Sequence, residues 1–130
     1  MAPQRQTVTA PAAPPAIGPY SHAVRSGSLL FCSGQIPLDP ASGEIVGSTA
    51  AEQARRCLEN LTAVCEAAGA SLQDAVRVTL YMTDISSFAE VGEAYASYFP
   101  NSPPARVAVG VAALPRGAQI EIDAIVAVSS

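Results

Sequence analysis

Two segments in which apolar and polar residues alternate constrain the fold most. In residues 76–82 and 119–128 the even positions are apolar. The odd positions include Arg77, Thr79, Tyr81, Gln119, Glu121 and Asp123. Because side chains of a strand point alternately to the two faces of a sheet, each segment predicts a strand with one buried face.

Local signals predict the remaining elements. The capping boxes Thr49-x-x-Glu52 and Ser87-x-x-Glu90 indicate two helices, the first ending at Gly69 and the second running through Tyr98. Strands are predicted over residues 21–25, 29–36, 75–82, 105–111 and 119–128. The order is ββαβαββ, a single α+β domain over residues 14–130 with a mixed sheet and two helices on one face. We expect the other face to pack against further copies of the chain, although a solvated face is an alternative.

A single cation lies in an otherwise uncharged stretch, residues 103–114. In the strand predicted there, Arg106 shares its face with Ala108 and Gly110, so space is expected beside its guanidinium. Burying a guanidinium without an anion is strongly unfavourable. We therefore expect an anion next to Arg106, either a protein carboxylate or the carboxylate of a small ligand.

The charge composition excludes several classes of function. The chain has 130 residues, a net charge of −4 and no lysine, since all seven cations are arginines. It lacks the clustered cations for broad binding of nucleic acid or anionic membranes, and a lysine for Schiff-base or P-loop chemistry. It also lacks an apolar run long enough to span a membrane and the apolar segment of a signal peptide. We expect a cytoplasmic protein in which residues 1–13 form a flexible arm.

The cysteines and the histidine do not form a recognisable catalytic or metal-binding pattern. Cys32, Cys57 and Cys65 lack the spacing of a zinc site, and His22 is the sole histidine. The second and third cysteines fall within a helical pattern, which indicates core packing. His22 follows Ser21, but neighbours in a strand point to opposite faces, so a base and nucleophile pair is not expected. We expect no metal and no other cofactor.

Four segments together resemble one protein family. They are Ile17-Gly18-Pro19-Tyr20-Ser21, Ser33-Gly34-Gln35-Ile36-Pro37, Pro104-Ala105-Arg106 and Ile120-Glu121-Ile122-Asp123-Ala124-Ile125. Over residues 16–128 the chain resembles the reactive-intermediate deaminase (RidA/YjgF) family. The resemblance implies a chorismate-mutase-like fold and a homotrimer with active sites in the clefts between subunits. It also implies cofactor-free hydrolysis of 2-imino or enamine acids, such as 2-iminobutanoate, 2-iminopropanoate and 2-aminoacrylate, to 2-oxo acids and ammonia.

The resemblance also implies roles for individual residues. The implied catalytic residues are Arg106, Glu121 and Tyr20, and the implied substrate-binding residues are Arg106, Ser33, Gly34 and Ala108. Many relatives carry a cysteine in place of Ala108 and an asparagine in place of Gly92, so the resemblance does not fix the preferred substrate. The chemistry suits these residue types, because arginine can hold a carboxylate through two parallel hydrogen bonds and glutamate can act as general base and acid.

Several alternatives stay open at the level of sequence. Glu121 can neutralise Arg106 or Arg77, Tyr20 can be a packing aromatic, and Ser33 can cap a turn. At the level of function, the same cleft can belong to a regulator that binds 2-oxo acids without turnover. A ribonuclease or translation inhibitor is a further alternative, which the acidic composition and the lack of a basic stripe disfavour.

Overall fold

The structure, a computed structural model, describes residues 3–129. Its strands are β1 (Gln6–Val8), β2 (Ala23–Ser26), β3 (Leu29–Gln35), β4 (Ala75–Met82), β5 (Ala105–Gly110) and β6 (Ile120–Ala127). Its helices are α1 (Ala50–Ala67) and α2 (Phe88–Ala96), and short 3₁₀ turns lie at Leu72–Asp74, Ile85–Ser87 and Pro115–Gly117. The predicted order of elements is confirmed, with β1 added in front.

All six strands form one sheet in the order β1-β2-β3-β6-β4-β5. Neighbouring strands are antiparallel except β4 and β5, which are parallel. A parallel pair needs a crossover connection, and α2 lies in the one that joins β4 to β5. The predicted α+β domain with a mixed sheet is therefore confirmed.

Helix α1 supplies most of the cover over one face of the sheet. Its predicted capping box is present, with the Glu52 amide donating to Thr49 Oγ1 and the Thr49 amide donating to Glu52 Oε1, each at 3.1 Å. The chain leaves the helix through Gly69, whose φ of 72° is in the left-handed region that glycine adopts without strain. The buried core between helices and sheet includes Leu58, Leu61, Val64, Leu80, Ile120 and Ile122.

The start of α2 differs from the prediction. Ser87 precedes the helix, but its side chain does not cap it; Ser87 Oγ instead donates to the Asp84 carbonyl at 2.6 Å. The Asp84 carboxylate accepts from the Ser86 amide and so caps the preceding 3₁₀ turn. The second predicted capping box is therefore wrong, and the helix ends at Ala96, two residues before the expected Tyr98.

One position of β4 departs from strict alternation. Val76, which the pattern assigned to the buried face, is 43% exposed. The pairing of β4 with β6 shifts register between Ala75 and Arg77, which leaves the intervening valine outside the ladder.

Part of the expected flexible arm, residues 1–13, packs against the rest of the fold. Residues 6–8 pair with residues 23–25 of β2, and Ala10 and Ala13 are buried. Residues 1 and 2 lie outside the described part, and the flexibility of the arm stays a prediction. The contacts of the segment are with β2 and the core, which are distant from it in sequence.

The second face of the sheet, called the open face below, has no helix packed on it among residues 3–129. Thr79 and Tyr81 of β4 lie on it beside Asp123 and Glu121 of β6. Its apolar members include Phe31, Val107 and Val109, which are 44%, 41% and 36% exposed. The open face therefore carries polar and apolar residues side by side. No helix in this part of the chain is long and apolar enough to cross a membrane.

A candidate active site in two halves

Four of the predicted site residues surround one cavity. It has a volume of about 570 Å³ and lies between β3, the start of β6 and the segment before β2. The predicted residues in its lining are Tyr20, Ser33, Gly34 and Glu121, and the wall also contains prolines, isoleucines and Arg116. We call this cavity the Glu121 pocket.

Glu121 is a half-buried carboxylate on the open face. It pairs with Tyr81 across the β4–β6 ladder, with Asp123 two residues further along the same strand. Burial raises the pKa of Glu121, and the negative charge of Asp123 raises it further. Within residues 3–129 one salt bridge is present, and it joins Arg56 to Glu59. The ion pairs of Glu121 with Arg106 or Arg77, which the sequence left open, are therefore not formed. Glu121 is therefore free to accept a proton.

Gly34 lets the Glu121 carboxylate lie against the main chain. A Cβ atom on Gly34 would overlap Glu121 Oε2. The register of β3 with β6 shifts between Cys32 and Gln35, so Gly34 lies in an irregular part of the strand. A side chain at this position would displace the carboxylate. This explains why the Ser33-Gly34-Gln35 segment has a glycine at its centre.

Ser33 and Tyr20 are placed differently in the pocket. The Ser33 hydroxyl donates its proton to the Ser21 carbonyl at 2.6 Å, so its oxygen can only accept a hydrogen bond from another group. Tyr20 follows Gly18, which has a φ of 127°, and its ring is 50% exposed. The serine is therefore fixed by the fold, whereas the tyrosine stands at the mouth of the pocket.

Arg116 is a pocket residue that the sequence analysis missed. It lines the same cavity, and its guanidinium donates to the Gly43 carbonyl at 3.0 Å. Its backbone has a φ of 61°, an unfavourable conformation for a residue with a side chain. The turn signal Pro115-Arg116-Gly117 was visible in the sequence, but nothing in it indicated that the turn folds over the pocket.

Arg106 lies elsewhere, on the edge strand β5. Its guanidinium carbon is 4.9 Å from the centre of the Phe88 ring and 5.4 Å from that of Tyr95. Both rings belong to α2, so Arg106 is stabilised by cation–π contacts. We call Arg106, Ala108, Phe88 and Tyr95 the Arg106 edge.

Two expectations about Arg106 need correction. Arg106 is exposed in the single chain, whereas the expectation of a neighbouring anion assumed that its guanidinium is buried. The space expected beside Gly110 is partly filled, because Ile85 lies 3.6 Å from where a Cβ on that glycine would be. No described carboxylate pairs with Arg106, so the anion expected beside it does not come from residues 3–129 of the same chain.

The Arg106 edge also holds an unsatisfied polar atom. The Tyr95 hydroxyl is buried and has no hydrogen-bond partner among the described residues. Burial raises the pKa of Tyr95, and the nearby positive charge of Arg106 partly opposes that shift. Gly92 lies between Phe88 and Tyr95 in α2, and a Cβ there would meet nothing within 4 Å. This half therefore has open space at Gly92, on the helix that carries both rings.

The two halves cannot meet within one chain. Arg106 pairs with Val78 and shares the helix-covered face with it, whereas Glu121 pairs with Tyr81 on the open face. Strand β4 also separates β5 from β6, and adjacent strands lie about 4.8 Å apart. One half can bind an anion and the other can move a proton. A site with both functions needs two copies of the chain.

His22 and the three cysteines are not among the residues that line the Glu121 pocket or form the Arg106 edge. The three cysteines are buried and unpaired, and burial raises the pKa of the Cys57 thiol. Within residues 3–129 there is no group of three or more His, Cys, Asp or Glu side chains that could hold a metal ion.

Known proteins resemble this chain over nearly its whole length. A family model described as Endoribonuclease L-PSP matches residues 10–128. A RutC family protein of Pyrococcus horikoshii is 53% identical over 113 residues, which cover 87% of this chain and 90% of the relative. A Mus musculus protein named 2-iminobutanoate/2-iminopropanoate deaminase is 44% identical over 121 residues, covering 93% of this chain and 90% of the relative. The crystal structure of RidA from an Antarctic Psychrobacter species matches with a TM-score of 0.90 at 41% identity, covering 95% and 99% of the two chains.

Proposed function

This chain belongs to the Endoribonuclease L-PSP (YjgF/RidA) family, and from that premise we propose that it hydrolyses small 2-imino acids to 2-oxo acids and ammonia. The substrates are 2-iminobutanoate, 2-iminopropanoate and their enamine tautomers. The observation that carries the proposal is the unpaired Glu121 carboxylate with its raised pKa, held against Gly34 in a pocket. The name of the mouse relative supports the same reaction class.

The proposed active site lies between two copies of the chain in a homotrimer. Each copy supplies Glu121 to one site and Arg106 to the next. The separation of these residues on opposite sheet faces supports this arrangement. The exposed apolar residues of the open face and the unsatisfied Tyr95 hydroxyl supply surfaces that assembly can cover.

The reaction follows from the residues that meet in such a site. Arg106 holds the substrate carboxylate through charge-assisted hydrogen bonds, which fixes the position of the imine carbon. Glu121 takes a proton from a water as the water oxygen attacks the carbon of the protonated imine, and a neutral carbinolamine forms. Glu121 then gives this proton to the nitrogen, and the C–N bond breaks. As ammonia leaves, the hydroxyl proton of the carbinolamine passes to Glu121 and from it to the ammonia, and the carbonyl of the 2-oxo acid forms.

The other pocket residues orient the reactants. The Tyr20 hydroxyl, at the mouth of the pocket, hydrogen-bonds the imine nitrogen. The Ser33 oxygen accepts a hydrogen bond from the water, since its own proton is donated to Ser21. Ala108 leaves room for the substrate beside Arg106.

A complementation experiment tests the reaction and the assembly together. Arg106→Ala and Glu121→Gln chains carry different tags, are refolded together, and mixed trimers are isolated by both tags. In a cyclic trimer with one site per interface, every mixed trimer regains one intact site, so about one third of wild-type activity returns. Ammonia release is measured with imines generated by an amino-acid oxidase.

The controls separate the possible outcomes. Each variant alone, and the two variants combined without refolding, should stay inactive. In a mixed trimer one variant chain has an intact Arg106 and the other has an intact Glu121, so an active site shared between chains can form. Mixed trimers without activity would therefore contradict the shared site. A wild-type protein that binds 2-oxobutanoate but releases no ammonia from imines would contradict the hydrolysis and leave a 2-oxo-acid-binding regulator.

The ribonuclease activity in the family description is a weaker candidate for this chain. Both ring nitrogens of His22, the sole histidine, already bond to the backbone, so the ring cannot act as general acid or base on RNA. The net charge of −4 also disfavours binding to phosphates. RNA binding that weakens steeply with salt would favour it.

A further inference from the structure

His22 is buried beside the Glu121 pocket and has no part in the proposed reaction. Its ring is 5% exposed and bonds to two backbone groups of the N-terminal segment. The Ala10 amide donates to Nδ1 at 2.9 Å, and Nε2 is 2.7 Å from the Pro14 carbonyl. Because an amide can only donate, Nδ1 carries the lone pair and Nε2 carries the proton. The ring is therefore neutral, and both of its nitrogens are used.

The segment that the ring holds forms one wall of the pocket. Pro14, Pro15 and Ile17 line the cavity, and Ala10 and Ala13 are buried next to them. Prolines have no amide proton, so this segment can make few backbone hydrogen bonds of its own. One is present, from the Ala13 amide to the Ala10 carbonyl. The ring supplies two more, at the two ends of the same turn.

The backbone of the same residue holds another wall of the pocket. The His22 carbonyl accepts from the Ser33 amide at 2.9 Å, and the Ser21 carbonyl accepts from the Ser33 hydroxyl. The next residue, Gly34, contacts Glu121. His22 therefore joins the proline wall to the strand that carries the polar half of the pocket.

We propose that His22 is a positioning residue that sets the distance between these two walls and thereby the affinity for the apolar tail of the substrate. The proposal rests on the proposed function. It assigns His22 to substrate binding through Pro14, Pro15 and Ile17, with no proton transfer by the ring itself. Arg106 and Glu121 lie on β5 and β6, which hold them in place when the ring is lost, so turnover should change little.

Two variants at one position test the proposal. His22→Gln keeps an acceptor and a donor, because its amide oxygen can bond to the Ala10 amide and its NH₂ group to the Pro14 carbonyl. His22→Leu has neither. We expect His22→Leu to raise KM for 2-iminobutanoate about tenfold with kcat within about threefold of wild type, since two net hydrogen bonds are lost. We expect His22→Gln to restore KM to within about twofold.

A lower stability alone would not produce this pattern, because KM does not depend on the fraction of folded enzyme. Wild-type KM in His22→Leu would overturn the proposal. So would a His22→Gln variant as impaired as His22→Leu, because the hydrogen bonds would then not be the cause.

A spectroscopic measurement covers the case in which His22→Leu does not fold. The wild-type protein has one histidine, so its imidazole ¹⁵N spectrum reports this ring alone. We expect the Nε2–H tautomer, and a change in both ring signals when 2-oxobutanoate is added. Unchanged ring signals at high 2-oxobutanoate would overturn the proposal. A wild-type enzyme inactive on imines would instead refute the proposed function, and the ring signals would still decide the role of His22.

Discussion

The Glu121 pocket and the Arg106 edge differ in how much of their geometry one chain fixes. In the pocket, Gly34 and Ser33 hold their positions through backbone contacts, and Glu121 is half-buried against them. At the edge, Arg106 is exposed and rests on two aromatic rings without a carboxylate partner. The difference follows from the acid–base properties of the two groups. The pKa of a carboxyl depends on its burial, so the fold has to provide specific surroundings for Glu121. A guanidinium is charged at any physiological pH, so Arg106 only has to be accessible to the substrate.

The largest expected effect comes from removing the cation. Arg106→Ala should lower kcat/KM for 2-iminobutanoate by about 10³- to 10⁴-fold, because two charge-assisted hydrogen bonds to the carboxylate are lost. The oligomer should remain folded, since Arg106 is exposed in the chain. Steady-state ammonia release measures the loss. Arg55→Ala, which removes an exposed arginine from α1, is the matched control, and equal rates in the two variants would refute the role of Arg106.

Removing the proton acceptor should give a smaller loss with a different signature. Glu121→Gln should lower kcat by about 10²- to 10³-fold with KM nearly unchanged, since general acid–base catalysis contributes about 10²–10⁴-fold and imines also hydrolyse unaided. Separate kcat and KM values show whether the loss lies in turnover. A raised KM with normal kcat would make the pocket a binding site and contradict its assignment as the proton-transfer half.

Displacing the same carboxylate tests how closely the pocket is fitted. In Gly34→Ala the new methyl group overlaps the Glu121 carboxylate, so the carboxylate must move. We expect kcat to fall by about 10- to 100-fold, because displacement of a catalytic group by about 1 Å costs up to about 10²-fold. In a Glu121→Gln background the same substitution should have little further effect on kcat. Additive losses would mean that the glycine acts independently of Glu121.

The pH dependence should distinguish the two halves further. Glu121 accepts a proton only when ionised, and its pKa is raised by burial and by Asp123. Activity should therefore be lost as pH falls, at a higher pH than the ordinary glutamate pKa of about 4.3 implies. Asp123→Asn removes a negative charge and should move this loss to lower pH. A pH profile of kcat/KM that is the same in both proteins would show that another group controls it.

The smallest effect is expected at the aromatic support of Arg106. Phe88→Leu removes one ring from beneath an exposed guanidinium, a contact that contributes about 0.5–1 kcal/mol. We expect KM to rise about two- to fivefold with kcat unchanged. The same substitution in an Arg106→Ala background should have no effect on KM. An effect that persists there would mean that Phe88 contacts the substrate directly.

The sequence predicted most of the fold because its helices and central strands bury one face each. Alternation in β6 and the capping box of α1 are local signals, and both are confirmed. Strand β1 carried no such signal, because its three residues are exposed or half-buried. Its place in the sheet comes from pairing with β2, which local sequence does not reveal. The exposure of Val76 was equally hidden, since a register shift depends on the partner strand.

The site was predicted less completely. Residue types and resemblance brought Tyr20, Ser33 and Glu121 to attention, and the structure brings them together. Arg116 was missed because a turn signal does not indicate which part of the fold the turn will cover. The split between Arg106 and Glu121 also depends on strand order, which places β4 between their strands and which local patterns do not determine.

The burial of the three thiols has a consequence for a protein that handles electrophiles. 2-Imino acids and 2-oxo acids are electrophiles that react with accessible thiols and amines. Cys32, Cys57 and Cys65 are all shielded inside the fold, and no lysine offers an amine on the surface. A protein that performs the proposed reaction would thus present few nucleophiles to its own substrate and product, and should resist covalent self-inactivation during long exposure to them.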